Sequence, residues 1–139
     1  MTGLLEHVLV PVANEEDADA TARALAPYDP SRVTALHVVE KGGGVPDKTP
    51  VEQSEQIAEA AFEAVRGTFP EAAGETTYGR DVVASILEAA AELGVTAIVF
   101  RPREGGRLVR FLSGDLSERL VVESELPVVA LPRVEDHEE

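Results

Sequence analysis

Residues 79–100 read GRDVVASILEAAAELGVTAIVF. Gly79 turns the chain, and Asp81 is placed as a helix N-cap, its carboxylate accepting from the first free backbone amides. Val82, Val83, Ile86, Leu87, Ala90 and Leu93 then recur at helical spacing and mark one inward face. Gly94 is the expected C-cap, because the left-handed conformation there carries no Cβ penalty for glycine. Val95 to Phe100 (VTAIVF) is a short, nearly continuous apolar run. Such a run suits a strand covered on both faces. The stretch therefore predicts a helix that feeds a buried strand.

The same alternation repeats outward from it. His7 to Val12 (HVLVPV) predicts a first buried strand, and Asn14 caps a helix bearing Ala18, Ala22 and Leu25 that Pro27 and Pro30 stop. Val33 to Val39 (VTALHVV) predicts a second strand, followed by a glycine-rich loop from Glu40 to Lys48. Thr49-Pro50-Val51-Glu52 is a capping box with proline at the first helical position. Its helix carries Ile57, Ala58, Ala61, Phe62, Val65 and Phe69 on one face, and Gly67 and Pro70 end it. Gly74 to Tyr78 (GETTY) is more polar, as an edge strand should be. Asp115-Leu116-Ser117-Glu118 opens a helix to about Glu123, and Leu126 to Leu131 (LPVVAL) is the last strand. Five strands alternating with four helices predict an α/β fold: a parallel sheet with helices on both faces and right-handed crossovers. Residues 1–133 form one domain, and 134–139 are an acidic, solvated tail. Ligands of such sheets bind beyond the carboxyl ends of the strands, here at residues 13–15, 39–48, 79–81 and 101–114.

The chain has 139 residues, 12 of them basic and 26 acidic, for a net charge of −14. That balance argues against nucleic-acid and anionic-membrane binding, which need a basic footprint. A hydrophobic content of 44% supports a real core. No apolar run approaches the ~20 residues of a membrane span, and the N-terminus lacks the basic start of a signal peptide. With no cysteine, disulfides, thiol nucleophiles and thiolate metal sites are excluded. Only Lys41 and Lys48 are lysines. Acid excess with lysine scarcity points to adaptation to molar salt, where screening over ~3 Å removes self-repulsion. The alternative is an ordinary acidic protein.

The stretches HVLVPVANEEDADATARAL, VTALHVVE, GRDVVASILEAAAELGVTAIVF and REGGRLVRFLSGDLSERLVVESELPVVALP resemble the universal stress protein family over nearly the whole chain. The resemblance implies a flavodoxin-like sandwich of the adenine nucleotide alpha hydrolase-like kind, with strand order 3-2-1-4-5. It also implies a cytoplasmic homodimer, often paired through the last strand. Leu126, Val128, Val129, Ala130 and Leu131 are the candidate interface. A short, uncharged edge strand invites such pairing. The other reading is a buried strand covered by its own helices.

Part of the family binds ATP through G-x-x-G-x9-G-[S/T] after the fourth strand, where glycines let backbone amides approach phosphates and a helix N-terminus receives them. An aspartate closing the first strand contacts the nucleotide. This chain departs at almost every point. With the last glycine on Gly114, the second falls on Glu104, the first on Arg101 and the hydroxyl on Asp115. Sliding by one recruits Gly105 but breaks the spacing to Gly114. The aspartate position is Ala13. A carboxylate at Asp115 satisfies the amides that would hold a phosphate. It also repels one by ~4 kcal/mol at ~4 Å and an effective dielectric of ~20.

Val12, Ala13, Val39, Arg101, Arg103, Arg107, Gly114 and Asp115 are the candidate ligand-binding residues. Arg101, Arg103, Arg107 and Arg110 cluster in an otherwise acidic chain. They offer guanidinium forks for an anion, or else pair with Glu104, Asp115 and Glu118. The Gly42-Gly43-Gly44 loop is a lid or a connector, and it lacks a P-loop ending. His37 reads as a hydrogen-bonded core residue. His7, His37 and His137 share no metal-ligand spacing, and no Ser-His-Asp grouping occurs. Asp17 and Asp19 lie inside the first helix, where they do not make the acidic pocket of a phospho-receiver. No catalytic residue, metal or cofactor is expected, ATP or AMP being the disfavoured alternative. The expected function is a non-enzymatic, dimeric stress-response or regulatory protein that does not take ATP in the usual way. The alternatives are a nucleotide- or anion-binding member using the arginine-rich loop, and a regulatory module for a membrane transporter.

Overall fold

Five parallel strands form one sheet in the order β3-β2-β1-β4-β5. The structure is a computed structural model and describes residues 3–40, 51–102 and 114–132. The elements are β1 (Val8–Pro11), α1 (Glu15–Leu25), β2 (Val33–Glu40), α2 (Val51–Thr68), β3 (Ala73–Gly79), α3 (Val82–Leu93), β4 (Ala97–Phe100), α4 (Gly114–Glu123) and β5 (Val128–Ala130). The expected sequence of elements and the expected strand order are both present.

The two faces of the sheet follow from side-chain alternation. Val8, Val10, Ala35, Ala97 and Val99 pack with Ala18, Ala22 and Leu25 of α1 and with Ala58, Ala61, Phe62 and Val65 of α2. Leu9, Leu36, Val38, Ile98 and Phe100 pack instead with Val82, Val83, Ile86 and Ala90 of α3 and Leu120 of α4. Successive residues of one strand thus enter opposite cores. This explains the continuous apolar runs of β1 and β4.

The caps read from sequence hold where they are described. Asn14 accepts from the Asp17 amide at 2.8 Å, Asp81 accepts from the Ala84 amide, and Gly94 adopts φ 68°. Some boundaries move inward, because only residues with a neighbouring strand complete the ladder: β1 omits His7 and Val12, β4 omits Val95 and Thr96, and β5 keeps only three residues. A 3-10 turn over Ala26–Tyr28 follows α1, with Pro27 at its start. Gly67 does not end α2, which runs on through Thr68. Ile57 is solvent-exposed, because it flanks the buried stripe of Ala58, Ala61, Phe62 and Val65. The Thr49-Pro50 cap, the Gly42-Gly43-Gly44 loop, Arg103, Arg107, Arg110, His137 and the acidic tail lie outside the described residues.

Candidate functional site

The chain order places the switch point at β1, which pairs with β2 on one side and β4 on the other. Pairing to β2 runs from Val8↔Val33 to Pro11↔Leu36, and the Val12 amide still donates to Leu36 O at 2.8 Å. Pairing to β4 covers only Val8↔Ala97 and Leu9↔Ile98. Beyond it, the ends of β1 and β4 leave the place where sheets of this kind receive ligands. β2 continues past the end of β1, pairing with β3 as far as Glu40↔Gly79. Of the candidate residues, Val12, Ala13, Val39 and Arg101 lie at this carboxyl edge. Gly114 and Asp115 begin α4, but their side chains, and hence the expected Asp115 cap, lie outside what is described.

On the β1 side, the polar groups are tied together. Asp17 is 4% exposed, and its Oδ2 accepts from the Ala13 amide at 2.8 Å. The Asp17 amide in turn donates to Asn14 Oδ1 at 2.8 Å. Asn14 and Asp17 therefore form a capping box whose second arm reaches one residue further back. A carboxylate thus closes the first strand after all, delivered from the third residue of α1 instead of from position 13. Asp17 sits in the first helix, as the sequence indicates, yet its side chain reaches the strand end. The Asn-x-x-Asp pattern was the available signal.

Val12 O accepts from His37 Nδ1, 3.2 Å away. His37 is buried, and desolvation holds its pKa below the ordinary histidine value, opposed by this hydrogen bond. The imidazole is accordingly neutral, with its proton on Nδ1. His7 is also buried, its Nε2 lying 2.9 Å from Thr34 Oγ1, and burial with the nearby Arg32 charge lowers its pKa too. Both histidines are hydrogen-bonded core residues, as expected of His37.

The β4 side differs. Arg101 is half-buried, and its Nε is shielded from solvent without a hydrogen-bond partner among the described residues. Near the start of α3, Arg119 makes a two-pronged ion pair with Asp81, at 3.2 and 3.0 Å, and also binds Glu123. The guanidinium holds the Asp81 carboxyl below its usual pKa, aided by the Ala84 amide. This clamp joins α3 to α4. Its Arg119–Glu123 arm follows from i,i+4 spacing, whereas Asp81 is 38 residues away in sequence. Among the described residues, no group of three or more His, Asp or Glu could hold a metal ion.

At the far edge, β5 is not a fully covered strand. Val128 and Val129 are half-buried and Ala130 is exposed. Leu126 is half-buried, Leu131 is buried, and Val121 and Val122 of α4 are 53% and 74% exposed. Among the described residues, no helix is long and apolar enough to cross a membrane.

The profile of the universal stress protein family matches residues 5–132. No curated protein matches the chain. Among solved structures, it is similar to the universal stress protein of Archaeoglobus fulgidus, with 20% identity over 90% of this chain and 97% of that one and a TM-score of 0.66. A universal stress protein from Archaeoglobus fulgidus in complex with dAMP gives 20% identity, 90% and 96% coverage and a TM-score of 0.64. An Arabidopsis thaliana family protein with AMP bound gives 17% identity, 94% and 93% coverage and a TM-score of 0.60.

Proposed function

The chain belongs to the universal stress protein family, and from that premise we propose that it is a non-enzymatic, dimeric stress-response or regulatory protein whose nucleotide crevice has been rebuilt so that it does not take ATP in the usual way. The observation that carries this reading is the buried Asp17 carboxylate accepting from the Ala13 amide. That amide is already satisfied within the chain, so position 13 at the end of β1 offers no free backbone donor to a nucleotide. The sequence supports the same direction on the β4 side, with Arg101 and Glu104 in place of glycines and Asp115 in place of a hydroxyl. No group arranged as a nucleophile with its base is apparent in the sequence, and we assign no catalytic role.

The exposed valines of α4 and the half-covered β5 edge support pairing of two copies. Loss of the cluster at Val121 and Val122 to water is otherwise unfavourable, at ~25 cal/mol per Å² of apolar surface. The charge of −14 with two lysines supports work in molar salt. A cytoplasmic location fits the family.

A second reading has its own observation. The Arg101 Nε, which has no hydrogen-bond partner among the described residues, favours an anion or nucleotide held by side-chain guanidinium groups. The dAMP and AMP complexes of related structures make a monophosphate the natural trial ligand. A regulatory role toward a membrane transporter is the third possibility, read out by co-purification with a membrane protein.

The experiment is to purify the protein in molar KCl without added nucleotide, precipitate it with acid, and record the ultraviolet spectrum of the supernatant. No nucleotide absorbance is expected, and one equivalent of adenine nucleotide per chain would refute the first reading in favour of the second. Light scattering on the same sample should give the mass of a dimer, and a monomer at micromolar concentration would remove that element. Urea midpoints that are equal in low and molar KCl would remove salt adaptation.

A further inference from the structure

The opposite edge of the sheet carries a groove that the crevice does not explain. It lies between the end of α3 and the turn that leads from α4 into β5, and it encloses about 540 Å³. Gly94 and Val95 precede β4, and Ser124 to Leu126 precede β5, so the groove opens at the amino ends of the strands. That volume falls within the range of small-molecule sites.

Its floor is apolar: Leu87, Ala90, Val95 and Leu126 line it. Its rim is acidic: Glu88, Glu123 and Glu125 line it too, and no lysine or arginine does. Glu123 is paired with Arg119. Glu88 and Glu125 have neither an ion pair nor a side-chain hydrogen bond among the described residues. Ser124 is used internally, its hydroxyl donating to Leu126 O and accepting from the Leu126 amide. Two helices, α3 of 12 residues and α4 of 10, end here. Each brings the negative end of its dipole toward the same space.

Unpaired carboxylates, two helix C-termini and an oily floor together suit one kind of ligand. We infer that the groove binds an aliphatic organic cation, with its hydrocarbon body on Leu87, Val95 and Leu126 and its ammonium group against Glu88 and Glu125. The lining has no aromatic ring, so recognition is by charge and alkyl packing rather than by an aromatic cage. The tail of this chain is a poor occupant, because residues 135–139 carry four acids that the rim repels.

The probe is octylammonium chloride, followed by amide chemical shifts in low salt. Shifts confined to Ala91, Gly94, Val95 and the Ser124–Leu126 turn are expected. Tetramethylammonium, which has the charge without the chain, should bind about tenfold more weakly, and octanoate, with the chain and the opposite charge, should not bind. Ala91→Leu, which extends an exposed groove residue into the space, should abolish the shifts. The pair Glu88→Gln and Glu125→Gln should weaken binding about tenfold. The matched pair Glu55→Gln and Glu59→Gln, exposed on α2, should leave it unchanged. Equal weakening by both pairs would reduce the effect to diffuse counterion attraction and overturn the inference, as would octanoate binding as well as octylammonium. Movement of the same amides on dilution without ligand would give the groove to a second copy and overturn it equally. Nucleotide binding in the crevice plays no part in these readouts.

Discussion

The ends of β1 and β4 stand side by side and have opposite hydrogen-bonding economies. At β1, the Ala13 amide, the Val12 carbonyl and the Asn14 side chain all have partners within the chain. At β4, a guanidinium nitrogen of Arg101 is shielded from water with none among the described residues. Buried polar groups are nearly always paired, so an exception needs a reason. The contrast teaches that, among the described residues, the polar groups at the end of β1 are engaged by the chain itself, whereas the Arg101 Nε at the end of β4 is not. The proposed reading therefore expects weak binding of a ligand that needs the Ala13 amide, and not of one that needs only a cation beside β4.

The sharpest way to break this comparison is to open the closed side. Asp17→Ala strips the partner from the Ala13 amide and removes one arm of the cap. It should cost about 1–3 kcal/mol in urea unfolding. A loss within error would mean that the carboxylate does not hold the strand end. The reverse manipulation acts on the open side. Arg101→Met keeps the aliphatic packing and deletes the partnerless nitrogen, so it should leave stability unchanged or raise it by about 1 kcal/mol. A clear destabilisation would show that Arg101 is already satisfied, and the asymmetry would vanish.

How far these features could be read from the chain depends on how local they are. The helix caps at Asn14 and Asp81, the Gly94 stop and the burial of β1 and β4 are set by residues within one turn or one strand, and they were legible. The two packing faces follow from alternation along Val8-Leu9-Val10 once the sheet is known to be parallel. Strand order needed the family resemblance, since spacing alone does not place β1 between β2 and β4. Ile57 misleads because a helical stripe has flanks, and periodicity does not say where the stripe stops. The site was less legible. Ala13 reads as the loss of an aspartate, and only coordinates reveal that Asp17 restores a carboxylate from four residues along. The Asp81–Arg119 clamp depends on how α3 and α4 meet, which no local pattern encodes.

Smaller effects sharpen the same picture. Arg119→Ala removes both ion pairs of the clamp, but all three groups are 40–45% exposed. The expected cost is a small drop in the urea midpoint that shrinks in molar salt. A larger, salt-independent loss would mark the clamp as structural. The finest effect concerns His37. Its folded pKa lies below the ordinary value of 6.5, so the unfolded chain binds its proton more readily. Stability is then fully present above pH 6.5 and declines as pH falls below it. His37→Gln should flatten that decline, and an unchanged profile would place the titration elsewhere.

The most direct test of the closed crevice is calorimetric titration of the purified protein with ATP, in molar KCl and again in low salt. The account predicts no binding heat in either. Micromolar affinity, lost on Ala13→Arg, would place the triphosphate at the end of β1 and contradict it.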